Sequence, residues 1–345
     1  MLRSLSFFLL LALSGPVVVA RATEVVVRCD GGDDLARILR ALRDERPGPV
    51  VVHVAGSCGG PIEITSDGLT LRGDEAESAA IEGVRGEPGT ALPPIVAIRA
   101  ARGVRLENLR IADGAVGVQA FDAEATLEDC DLAGTDVAVE AQDSTMTLIR
   151  TTLREARNGI AARRSRVTVS LGTIQDISDE GLLATEISQL TLFRTAVRSD
   201  GLLVSSHSTL VATHCALEGA IHADAYARIS LAGASGPTAT LRGDIFASNS
   251  EVFLFRLPVE GTVRIKNSGL LTVREAELGE VRLDGGSHAH IASAWIGGDL
   301  LAEGFSTVQL SSTPVGGALA CRSGADAVCA RSEPRSVSGC RSCGP

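Results

Sequence analysis

The sequence predicts an all-β solenoid, a single-stranded parallel β-helix with one short α-helix capping its N-terminal end. Three observations predict it. A motif of turn, strand, turn, strand and closing apolar residue returns about every 20–22 residues. The second strand of most repeats alternates apolar–Thr–apolar, the period-2 pattern of a strand with one buried face, over stretches far too short for a helix. A serine also stands before that strand in most repeats, so hydroxyls line up along the array.

The first clear repeat is Asp113-Gly114-Ala115-Val116-Gly117-Val118, then Ala125-Thr126-Leu127, then Leu132. The next has Asp136 to Val139, Met146-Thr147-Leu148 and Leu153. Asn158-Gly159-Ile160, Val167-Thr168-Val169 and Ile174 follow. After these come Glu180 to Leu183 with Leu190-Thr191-Leu192 and Val197, and Asp200 to Leu203 with Leu210-Val211-Ala212 and Leu217. Ile245, Val263, Val281, Leu300 and Leu319 then open shorter repeats of roughly 18 or 19 residues. Leucine-rich repeats share the period but need a regular Leu-x-x-Leu-x-Leu, which is absent. Coils stacked about 4.8 Å apart bury one continuous apolar column, and about thirteen of them make a rod on the order of 60 Å long.

Two polar columns follow from the same alignment. Ser144, Ser165, Ser188, Ser208, Ser250, Ser287 and Ser306 share one position, with Ser268 one residue out of step. Asp113, Asp136, Asn158, Asp179 and Asp200 form a second, read as Asx turns rather than a cation ladder.

The ends differ from the repeats. Residues 1–22 have a positive Arg3, an apolar run from Leu5 to Leu13 and a small-x-small Ala20-Arg21-Ala22, the pattern of a signal peptide. The expected location is therefore secreted, periplasmic or cell-surface, with no membrane insertion after cleavage. Residues 23–60 read as a strand and a helix cap. Val25 to Val27 is a strand, Asp33-Asp34 caps a helix from Leu35 to about Arg43, and Val50 to Ala55 is a second strand. Coils fill 61–328, and 329–345 is a cysteine-rich tail.

Composition narrows the partners. The chain carries −10 formally, and −12 once Arg3 and Arg21 are removed, with Lys266 its sole lysine. An acidic chain without a basic stripe excludes nucleic acid and acidic membrane surfaces, and disfavours polyanionic polysaccharides. Arg163-Arg164-Ser165-Arg166 is the one basic cluster and reads as a solvated turn. Aromatics are only 3% of residues, few for a surface that stacks rings on sugars.

These features resemble the right-handed parallel β-helix superfamily, the pectate-lyase-like fold of secreted bacterial-type proteins. The resemblance covers about Thr23 to Val328 and is specific for architecture. It implies polysaccharide or another cell-envelope component as partner, and it carries over no catalytic motif.

The cysteines fit an oxidising compartment. Cys29 and Cys58 flank the cap helix and can pin it by a disulfide. Cys321, Cys329, Cys340 and Cys343 allow three pairings, with disulfides favoured over a zinc site at the Cys340-x-x-Cys343 spacing. Cys130 and Cys215 share a position four coils apart, about 19 Å, and read as buried free thiols.

Candidate chemistry is sparse. His288 and His290 project from one strand face, and that pair is the sole metal candidate; no cofactor is expected. His207, His214 and His222 fall at different points around one coil and the next. Enzymes on the resembled fold need a cation or Arg with a base, or neighbouring carboxylates on an outer face. The outward strand positions are mainly Thr126, Thr147, Thr168, Thr191, Val211 and Thr272. Asp176, Asp179, Glu180 and Asp200 converging on Arg198 are the remaining candidates. The reading is thus an exported, non-catalytic surface, structural or glycan-contacting scaffold. Its alternative is a carbohydrate-active lyase, epimerase or hydrolase, signalled by a lateral groove that brings carboxylates within reach of an arginine.

Overall fold

The computed structural model describes residues 23–32, 34–45, 48–74, 78–84, 92–233 and 239–343. The expected signal peptide, 1–22, lies outside them, as does Asp33. The described residues form a parallel β-solenoid of about 13 turns with a single α-helix among them, wound as a right-handed parallel β-helix. Each coil contributes one strand to a first sheet of 15 strands, which runs from Thr23–Arg28 to Asp326–Ala330. The rest of the coil lies in a second sheet that bends at a corner, as in Asp131–Gln142.

Register makes the core. In the first sheet Val52, Leu71, Leu106, Leu127, Leu148, Val169 and Leu192 stand directly above one another. Each is at most 1% exposed. The same pairing lines up Thr126, Thr147, Thr168 and Thr191 on the outer face. The described core is aliphatic, filled by columns of Leu, Val, Ile and Ala.

A single left-handed residue turns the chain out of the first sheet in most coils, at Asp129, Arg150, Leu171, Arg194 and His214 among others. Where the residue after it is threonine or cysteine, its polar group bonds to strand carbonyls. Thr151 Oγ1 donates to Leu127 O at 3.3 Å and Thr195 Oγ1 to Val169 O at 3.3 Å. Cys130 Sγ makes the matching contact to Leu106 O at 3.3 Å. Cys130 and Cys215 therefore stand where neighbouring coils carry threonine. Burial pushes the Cys130 thiol up to about 12 and raises that of Cys215, so both stay protonated and inert.

The serine column does the same work at the turn into the first sheet. Ser144 N–H donates to Ser165 Oγ at 3.0 Å, and Ser165 N–H to Ser188 Oγ at 3.2 Å. Ser144 Oγ donates back to Gln142 O at 2.7 Å. Ser268 is exposed, and Gly269 takes the column position beside it.

The first three members of the aspartate column are out of register with one another. Asp113 is level with Gly134, Asp136 with Ala115 and Arg157, and Asn158 with Val137. Corner lengths vary from coil to coil, so matching Asp/Asn–Gly letters slid the register. Asn158 Oδ1 does accept Glu180 N–H, at 3.4 Å, and Asp244 and Asp299 accept from Thr262 and Ala318.

The shorter C-terminal period has a physical cause. The second-sheet strand shrinks from 12 residues at Asp131–Gln142 to 7 at Glu277–Leu283. Glycines stack at this corner: a Cβ on Gly261 would lie 2.3 Å from Gly243 O, and one on Gly279 2.6 Å from Gly261 O. Backbone-to-backbone contact lets the chain round the corner with fewer residues.

Both ends are closed. Asp34 Oδ1 accepts Arg37 N–H at 3.0 Å, capping the helix Leu35–Glu45. Leu35 and Leu39 are buried against the first coils. The Cys29–Cys58 disulfide ties the segment before the helix to the strand Ser57–Gly59. Strand Thr23–Arg28 already pairs with Val50–Ala55, so the cap segment contributes to the first sheet. At the other end, pairing continues past Val328 through Pro334–Ser338. Cys321–Cys340 and Cys329–Cys343 are the disulfides that staple the tail over the last coil.

The corner packing predicts that Gly261→Ala lowers the thermal midpoint by a few degrees, on the order of 1–3 kcal/mol. Gly59→Ala, whose Cβ meets nothing within 4 Å, leaves it unchanged. Calorimetry on both variants checks this; equal midpoints would remove the packing explanation.

Candidate functional site

Arginines and carboxylates meet along the corner that leaves the first sheet. Arg72 binds Glu107 at 2.7 Å, and Arg105 reaches both Glu107 and Glu128 at 3.1 Å. Arg150 binds Glu128 at 2.6 Å and Asp129 at 2.7 Å, and Arg154 binds Asp131 at 2.9 Å. The register dictates this, because outward positions of successive coils face one another. Hollows of about 470 and 540 Å³ lie here and share Asp74, Asn108 and Asp129. The geometric sign of an enzyme, carboxylates within reach of an arginine in a lateral groove, is therefore present.

The resolved electrostatics are those of ion pairing. Hydrogen bonds from Arg150 hold the Asp129 carboxyl below the usual carboxylate range. The same pairing raises Arg150, and Asp131 raises Arg154.

The sequence candidates separate. Arg198 binds Glu218 at 2.9 Å, its in-register neighbour in the next coil, and not the aspartates. Asp176 occupies a left-handed turn with φ 55°. Asp179 and Glu180 do come together in a corner where the register shifts. Burial lifts the Glu180 carboxyl above its ordinary value, Asp179 adds to the lift, and Arg157 opposes it. Asp200 is exposed on the following coil.

His288 and His290 do share the outer face of His288–Ala292, and a ring nitrogen of His288 bonds Thr307 Oγ1 at 2.5 Å. Among the described residues no group of three His, Cys, Asp or Glu is placed to hold a metal ion. Arg163 and Arg164 both pair with Glu186, and Arg164 also with Asp143 at 2.7 Å. Two of the three arginines of the basic cluster are thus paired with carboxylates, and Arg166 donates to the Gln189 amide oxygen at 3.1 Å.

What the sequence left hidden is where the few aromatics sit. Phe121, Phe193, Tyr226, Phe246, Phe253, Phe255, Trp295 and Phe305 are all exposed or half-buried. Several frame one stretch of the first sheet's outer face. On one edge, the turn entering that sheet carries Ile187, His207 and Tyr226 on successive coils, each at positive φ of 63–67°. Ile187 is 76% exposed and Tyr226 69%. The His207 and Tyr226 rings stack at 5.2 Å. On the opposite edge Phe193 packs against His214 at 5.8 Å, and Arg256 lies 4.8 Å over Phe255. A bulky β-branched residue in a left-handed turn, held out into water, is the kind of strain that marks functional sites.

Beside Tyr226 lies a shallow groove of about 560 Å³, lined by His207, Thr209, Arg228, Asn249, Glu251, Ser268 and Leu270. Arg228 and Glu251 neutralise each other at 2.8 Å. The groove therefore offers a ring platform, an apolar wall, hydroxyl and amide partners, and little net charge.

No protein-family model and no curated protein matches the chain. Solved structures match in overall shape. A polygalacturonase from Erwinia carotovora ssp. carotovora is 10% identical with TM-score 0.44, over 96% of this chain and 99% of that one. The A-module of a mannuronan C-5 epimerase from Azotobacter vinelandii is 12% identical with TM-score 0.39, over 90% and 93%. The catalytic domain of a GH87 α-1,3-glucanase is 12% identical with TM-score 0.42, over 91% and 66%.

The ion pairs fix an acid response. A carboxyl held low in the fold adds stability above its unfolded value, about 4, and loses it as pH falls through the folded value. Asp129, Asp143 and Glu186 are held low by Arg150, Arg164 and Arg163 respectively. The thermal midpoint should stay level from pH 7 to 5 and fall below roughly pH 4. Arg164→Gln should move the Asp143 titration up when followed by carboxyl NMR. An Asp143 titration unmoved by that change would contradict the pairing.

Proposed function

We propose that this protein is an exported, non-catalytic β-helix that holds a glycan on the outer face of its first sheet. The carrying observation is the outward placement of the scarce aromatics, with the exposed Tyr226–His207 stack beside a charge-balanced groove. Rings with one apolar face and polar neighbours suit the mixed apolar and hydroxylic surface of a pyranose. The three disulfides fit an extracellular or periplasmic protein. Release by signal-peptide cleavage into the periplasm, the medium or the cell surface belongs to the same proposal.

One observation favours a second reading. Glu180, lifted above its ordinary value by burial and by Asp179 beside it, has the environment of a carboxyl that holds its proton more firmly than a free one. In that reading the protein is a carbohydrate-active enzyme with Glu180 as proton donor.

Incubation of the protein with a polysaccharide panel separates the two. Binding without turnover predicts retention of a glycan with no new reducing or unsaturated ends, and about a tenfold loss of affinity in Tyr226→Ala. New ends that vanish in Glu180→Gln would establish the enzyme reading and overturn the first.

A further inference from the structure

The turn ridge has a second hollow on its other side. It measures about 330 Å³ and is lined by His222, Asp224, Phe246, Ser248, Arg264 and Lys266 with the small Ala223 and Ala247. It lies on the second sheet, so it is separate from the Tyr226 groove, yet both hollows are walled by the same two turns around Asp224–Arg228 and Ser248–Glu251.

Two features set it apart. The His222 and Phe246 rings, level on adjacent strands, stack on each other at 5.1 Å and 20°. Arg264 stands directly beyond Phe246 in the same outward column, and Lys266 beyond Ser248. Neither cation has an ion-pair or side-chain hydrogen-bond partner among the described residues. The next arginine in the column, Arg282, is held instead by Glu280 at 2.6 Å. A chain of net −10 thus leaves its sole lysine and an adjacent arginine unneutralised beside an aromatic stack.

We propose that this hollow binds a sugar bearing a tetrahedral oxyanion ester, a sulfate or a phosphate, as a second subsite of the glycan-binding face; the proposal rests on that reading of the Tyr226 groove. The sugar packs against the outward side of the His222–Phe246 stack. The ester bridges Arg264 and Lys266, whose backbone positions are about 7 Å apart along one strand. A tetrahedral ester presents three oxygens in different directions to the two cations, whereas a carboxylate presents two in one plane. Asp224, the hollow's one carboxylate, is placed at the turn to accept sugar hydroxyls.

The test is saturation-transfer NMR on the full chain with glucose 6-sulfate, glucose 6-phosphate, glucuronate and glucose as probes. Both esters should bind more tightly than glucuronate or glucose, and the tighter ester names the source of the oxyanion. Arg264→Gln with Lys266→Gln should weaken ester binding about tenfold or more, with an unchanged melting curve; should the double variant not fold, the exposed Lys266→Gln alone should weaken it measurably. Tyr226→Ala should leave it intact. Glucuronate binding as tightly as the esters, or ester binding that survives the variants, overturns the proposal. Tyr226-dependent retention of a neutral glycan with no ester signal overturns this subsite alone. Ester binding without any glycan retention overturns the reading of the Tyr226 groove instead.

Discussion

Everything in this molecule depends on coils stacked in register about 4.8 Å apart. That spacing forces each side chain to stand on its own equivalent in the coils above and below. Inward positions become columns, and in the described core these are aliphatic. Buried backbone at the turns needs partners, and the stacked hydroxyls of Ser144, Ser165 and Ser188 supply them coil by coil. Cys130 and Cys215 make sense only in this light, as sulfur versions of the threonines at 151 and 195. Outward positions are equally constrained. A charge on one coil faces the next, so Arg72, Arg105 and Arg150 thread between carboxylates.

This constraint explains which parts of the molecule were legible in advance. Strand positions carry the period-2 pattern, and Leu148 or Val169 announces its place by its neighbours at fixed distance. The serine column was legible for the same reason. The first three members of the aspartate column failed because corners vary in length, and a two-letter match such as Asn158-Gly159 does not carry register through a bulge. The pairing among Cys321, Cys329, Cys340 and Cys343 was open because it depends on how the tail folds back over the last coil.

The candidate site was harder to read still. Arg198 looked free to meet Asp176 and Asp200, but in-register stacking gives it Glu218. The aromatic ridge carried no spacing signal, since Ile187, His207 and Tyr226 sit in turns whose lengths change. Counting aromatics undervalued them. All the described aromatics of this chain lie outside its core, so even 3% of residues can furnish a surface. The signal available was positional: His207 and Tyr226 each fall one residue before a first-sheet capping position, Ser208 and Ala227.

The surface thus divides into an arginine–carboxylate ladder over the early coils and an aromatic-framed face over the later ones. Hydrogen exchange in the presence of a retained glycan tests that division most directly. The account predicts slowed exchange in peptides spanning residues 186–275, around Tyr226, with the segment from Arg72 to Asp131 unchanged. Protection confined to that early segment would contradict it, placing the ligand on the ion-pair groove instead.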